Sequence, residues 1–128
     1  MLITGVVLTG LAALIHVYIF YMESLAWTSD RVRALFGMSA QDAENTKEMA
    51  FNQGLYNLFL AIAVFVGAVF LGLGNQAVGA TLIFVGAGSM VAAAAILFIS
   101  SADKRGAALK QGVIPAVGVV LLAISLVL

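Results

Sequence analysis

The sequence has no cysteine, one proline, one histidine and one tryptophan, and only 9% of its 128 residues are charged. Without cysteine there are no disulfides, no thiolate metal sites and no thiol nucleophiles, and the redox compartment stays open. With His16 as the single imidazole, metal binding is disfavoured. Glu23 stands seven residues away, about 10 Å along a helix axis, too far for the two to form a compact coordination sphere alone. No run of Lys or Arg exists and the formal net charge is zero, which argues against nucleic acid as a partner. The scarcity of charge is itself decisive, since soluble domains carry roughly a quarter of their residues charged. A short chain that is 63% hydrophobic cannot hide its apolar surface in a water-facing core. Its natural solvent is lipid.

What is present is a set of long apolar runs. A hydrocarbon core about 30 Å thick takes about 20 helical residues to cross, and residues 2–23 meet that need. Residues 49–102 hold no charge. As one helix they would run to about 80 Å, so the chain must turn. "GLGNQAVG" (residues 72–79) supplies the Gly and Asn for the turn. The expected spans are 2–23, 49–72, 77–99 and 109–128. The last begins near Ala108 or Leu109, which puts Pro115 in its first turns, where proline is best tolerated. The first span lacks a basic leader and an Ala-x-Ala-like cleavage site, so it is read as retained. The expected fold is all-α: an integral membrane four-helix bundle, one four-span domain over residues 1–128.

All six basic residues fall between spans one and two (Arg31, Arg33, Lys47) or between spans three and four (Lys104, Arg105, Lys110). Four crossings put these two loops on one side, and the positive-inside rule makes that side cytoplasmic. Loops 24–48 and 100–110 are thus expected inside and both termini outside. The acidic residues share that side, so the loops should pair charges rather than form a polybasic lipid anchor. Within the first loop, "TSDRVRALFG" (residues 28–37) opens on capping residues and closes on glycine, which predicts a short interfacial helix from Asp30 to Phe36. "SAQD" (residues 39–42) fits a loose capping box. It starts a helix that projects about two turns beyond span two. Trp27 sits where an interfacial anchor belongs.

On a wheel of 100° per residue, Gly5, Thr9, Ala12, His16, Phe20, Glu23 and Trp27 share one narrow face of span one. A lipid-facing surface has no reason to carry His and Glu, so this face should turn inward. In span two, Glu48, Asn52, Tyr56, Phe59 and Ala63 share a face, with Gln53 and Asn57 beside it. Amides cost free energy in hydrocarbon unless paired. Matching depths in an antiparallel pair puts His16 level with Asn57, and Glu23 level with Asn52 or Gln53. A polar pocket between helices one and two is the expectation, with His16, Phe20, Glu23, Asn52, Gln53, Tyr56 and Asn57 as its binding residues. In span three, Gly88 with Ala92 and Ser89 with Ala93 form small-xxx-small pairs suited to close helix approach. Thr81, Ser89 and Ser125 carry hydroxyls that can bond back to their own helices.

Each of these residues also has a plainer reading. His16 can be a buried neutral imidazole that fixes register, Glu23 a solvated carboxylate or a partner of Arg31 or Arg33, and Trp27 a belt residue only. Interhelical hydrogen bonds explain single amides, but they average only about 0.6 kcal/mol in membranes. Four polar residues clustered with His and Glu exceed the needs of registry. A serine nucleophile is not indicated: none lies near His16 on its stripe, and "AGSM" around Ser89 lacks the strand-to-helix turn of a nucleophile elbow.

The succession of His16, Glu23 and Trp27 in helix one, "LFGM" (residues 35–38), "NQGLYN" (residues 52–57) and then further apolar segments resembles the bacterial membrane proteins grouped as domain of unknown function 1304. The resemblance covers nearly the whole chain, and "NQGLYN" is its most specific part. It implies a small four-span protein of the bacterial cytoplasmic (inner) membrane and no particular activity. Three functions then compete. One is binding of a small amphipathic or lipid-like molecule in the pocket, with membrane lipid as partner and no cofactor. A second is a proton-coupled small-molecule transporter acting as a homo-oligomer, with His16 as the one ionisable group deep enough. The third is a membrane enzyme with His16 and Glu23 as an acid–base pair, although no nucleophile or cofactor can be named.

Overall fold

A computed structural model describes all residues, 1–128, as an all-α protein. Helix α1 (Leu2–Phe20) passes into one wide π-helical turn, Tyr21–Leu25. The short α2 (Asp30–Phe36) follows, then α3 (Ala40–Gly72), α4 (Gln76–Ser100), a 3₁₀ turn (Ala102–Lys104) and α5 (Arg105–Val127). Four segments are long and apolar enough to cross a membrane: Leu2–Leu25, Ala40–Gly72, Gln76–Ser100 and Ala102–Val127. Only 22% to 28% of the apolar stretch of each is buried within the protein. Large side chains such as Ile3, Leu14, Val69 and Ile99 stand open, as they do when lipid is the solvent.

Local chemistry fixes the helix ends. Ser29 caps α2 by accepting from the Val32 N–H at 3.3 Å. Gly37 closes α2 in the left-handed region (φ 65°). The Met38 N–H reaches back to the Arg33 carbonyl at 2.9 Å and the Gly37 N–H to that of Ala34 at 3.4 Å, which is a Schellman closure. The turn at residues 72–79 repeats it. Gly74 (φ 83°) and Asn75 return their N–H groups to Leu71 and Phe70, and the Asn75 side chain then caps α4 at Val78. Ser39 caps α3 by accepting from the Asp42 N–H at 3.0 Å, and its hydroxyl donates to the Asp42 carboxylate at 2.6 Å.

The chain divides into two compact units, residues 1–15 with 60–128, and residues 16–59. In the first, glycines carry the close approaches. A methyl group on Gly67 would stand 2.7 Å from the Gly79 carbonyl oxygen, and one on Gly86 would stand 2.7 Å from that of Leu60. Gly5 and Gly118 bring α1 and α5 together around Leu122 and the buried Thr9. Thr9 returns its hydroxyl to the Gly5 carbonyl at 3.0 Å, and Ser125 does likewise to Leu122 at 2.7 Å. The small residues of α4 therefore work on a different face from the one expected. Gly79, Gly86, Ala87 and Ala94 are buried, whereas Ser89, Ala92 and Ala93 are exposed. Helix α5 also starts earlier than expected, at Arg105. Pro115 consequently lies in its interior rather than in its first turns, where the missing N–H leaves the Gln111 carbonyl without its helical donor.

The second unit holds the end of α1, the π turn, α2 and the first half of α3. Trp27 is its strut. The indole N–H donates to the Thr46 hydroxyl at 3.0 Å, and the ring lies 5.1 Å from that of Phe36. One residue thus ties the π turn, α2 and α3 together.

Candidate functional site

Both elements of the candidate site belong to residues 16–59. At Gly54 the π turn and α3 come into contact: a methyl group there would lie 3.0 Å from the Ser24 nitrogen and 3.1 Å from the Glu23 Cβ. Two polar bonds fasten this approach. The Ser24 hydroxyl donates to the Phe51 carbonyl at 2.8 Å, and the Asn57 amide donates to Glu23 Oε2 at 2.9 Å. The same Asn57 nitrogen lies 3.2 Å from the Gln53 carbonyl.

The register differs by about one helical turn from the depth matching, which set Glu23 against Asn52 or Gln53. The reason is directional. Helical side chains lean toward the N-terminus of their own helix, so on antiparallel neighbours they lean toward one another. Glu23 reaches away from its own level and meets Asn57 coming the other way.

Of the expected pocket residues, the structure brings together Glu23 and Asn57, and Phe20 is half-buried. His16 is buried at 3% exposure. The others turn away. Tyr56 is 61% exposed and Phe59 55%. Gln53 is exposed, and Asn52 spends its amide on the Glu48 carbonyl at 2.9 Å. The inward face of this part of α3 carries Ala43, Ala50, Gly54 and Ala61, small residues that admit a neighbouring backbone. The face of Glu48, Asn52, Tyr56 and Phe59 lies roughly opposite. No buried side-chain nitrogen or oxygen lacks a partner. Glu23, Ser24, Gly54 and Asn57 thus form a polar clamp between the π turn and α3.

The open space lies beside it. A shallow cleft of about 420 Å³ is lined by Ser24, Glu44, Lys47, Glu48 and Phe51. Glu44, Lys47, Glu48 and Phe51 follow the i, i+3, i+4, i+7 spacing of one helical face. None of the three charged groups is in an ion pair, the one salt bridge of the chain being Arg33 with Asp30. Sequence reasoning passed over Glu44, Lys47 and Phe51 because it followed the amides. The signal was an unbroken stripe running from charge to aromatic ring across the point where the apolar run begins.

A family model described as "Protein of unknown function (DUF1304)" matches residues 10–123. The chain belongs to this family. The DUF1304 match takes in the clamp, the cleft, α2, α3 and α4, the second half of α1 and most of α5. No curated protein and no solved structure matches the chain.

Proposed function

We propose that this DUF1304 protein resides in the bacterial cytoplasmic membrane, with both termini outside and loops 24–48 and 100–110 in the cytoplasm, and holds a small amphipathic or lipid-like molecule. The binding place is the cleft beside the clamp. One observation carries this reading: the cleft of about 420 Å³ combines unpaired ionic groups with Phe51, at the boundary where charge gives way to an apolar run. An amphipath needs that combination, since its head requires polar partners and its tail requires contact away from water. The clamp of Glu23, Ser24, Gly54 and Asn57 is then scaffold, holding the cleft wall that Ser24 shares.

Native mass spectrometry from mild detergent tests the reading. The protein is expected to carry an adduct of lipid-like mass, and Phe51→Ala with Lys47→Ala is expected to remove most of it. A bare chain, or an adduct indifferent to both substitutions, would refute it.

A further inference from the structure

We infer that the cleft selects a zwitterionic phospholipid bearing a primary amine, an inference that rests on the cleft being the amphipath site. The observation is the order of groups along α3. Glu44 lies outermost, Lys47 and Glu48 follow one turn deeper, and Phe51 lies one turn deeper again, all lining one cleft. The span from Glu44 to Phe51 is about 10 Å. An aminophospholipid presents its groups in the complementary order: ammonium outermost, phosphate next, then glycerol and acyl chain.

Each pairing has a chemical reason. Both carboxylates lean toward the N-terminal end of α3, which begins nine residues before Met49 and so reaches outward past the apolar run. Glu44 and Glu48, one turn apart along the same cleft, together face the ammonium. The Lys47 ammonium is the one cation of the cleft and meets the phosphate. Phe51, 45% exposed, lies against the start of the acyl chain. A primary ammonium donates hydrogen bonds to carboxylates and a quaternary one cannot, so the cleft distinguishes ethanolamine from choline. The two carboxylates also repel a net anionic headgroup such as phosphatidylglycerol.

The experiment offers delipidated full-length protein an equimolar mixture of phosphatidylethanolamine, phosphatidylcholine and phosphatidylglycerol with identical chains, read by native mass spectrometry. The ethanolamine lipid is expected to exceed each of the others about fivefold, the upper end for one exposed ion pair. Glu44→Gln with Glu48→Gln, both at exposed positions, is expected to equalise the ethanolamine and choline lipids. Lys47→Gln is expected to lower both. Soluble phosphoethanolamine at the lipid's concentration is expected to displace nothing, and displacement would reassign the cleft to a soluble ligand. Equal retention of the three lipids, or a preference that survives the double substitution, would overturn the selectivity while leaving an amphipath site intact. Retention of no phospholipid at all would remove the site itself.

Discussion

Asn57 and Glu23 show what a polar residue near the membrane does when its partner is another side chain. The amide of Asn57 joins the carboxylate of one segment to a backbone carbonyl of its own helix, and the close approach at Gly54 holds the two segments in register. Removing the amide leaves a half-buried carboxylate short of a donor. Asn57→Ala is therefore expected to destabilise the protein by about 1 kcal/mol, the net worth of one hydrogen bond. Glu23→Gln keeps an acceptor oxygen in the same place and is expected to lose about half as much, because a neutral acceptor makes roughly half as strong a bond as an ionised one. Unfolding titrations in mixed detergent and SDS measure both. If Asn57→Ala unfolds like the parent, or if Glu23→Gln is the worse of the two, the clamp does not hold these segments together.

At the scale of elements, the unit of residues 16–59 is organised by Trp27. Trp27→Phe keeps the ring against Phe36 and deletes the bond to Thr46. Backbone amides of α2 are expected to exchange about fivefold faster in this variant, the effect of about 1 kcal/mol of lost local stability. Hydrogen–deuterium exchange over residues 28–40 reads it, and unchanged protection would show that α2 is held by its own caps alone. The bounds of α2 were legible in the sequence because Ser29 and Gly37 are local signals whose hydrogen bonds close within a few residues. The inward stripe of Gly5, Thr9, Ala12 and His16 was legible because burial follows helical period. The π turn at Tyr21–Leu25 was not, since nothing in that stretch departs from an ordinary helix pattern. The outward turn of Tyr56 and Phe59 was not legible either. A wheel groups residues by face and does not say which face a partner takes. Polar character pointed to one face, while the need for small residues at a backbone contact chose Ala50, Gly54 and Ala61. The same preference decided α4, where Gly79 and Gly86 make the contact and Ser89, Ala92 and Ala93 do not.

For the whole molecule, the arrangement in the membrane follows from charge placement and helix count together. Under the proposed topology, four crossings put both chain ends on one side of the membrane and the segments that precede the apolar runs of α3 and α5 on the other. Arg31 and Arg33 lie in α2, Lys47 in the N-terminal turns of α3 ahead of its apolar run, Lys104 in the 3₁₀ turn and Arg105 and Lys110 in the first turns of α5, and no basic residue lies in the turn between α3 and α4. Translocating a short loop that carries Lys or Arg is strongly disfavoured, whereas a turn of Gly, Leu and Asn crosses readily. The cleft, with Glu44, Lys47 and Glu48, therefore faces the cytoplasmic leaflet under the proposed topology. Because the chain has no cysteine, single-cysteine variants report sidedness directly. Ala40→Cys and Ala107→Cys, at exposed positions near the starts of α3 and α5, are expected to resist a membrane-impermeant maleimide in intact cells and to react after permeabilisation. Leu73→Cys, at a turn position 76% exposed, is expected to react in both. The reverse labelling pattern would invert the protein. The cleft would then face the outer leaflet, and lipid selection would have to be sought there.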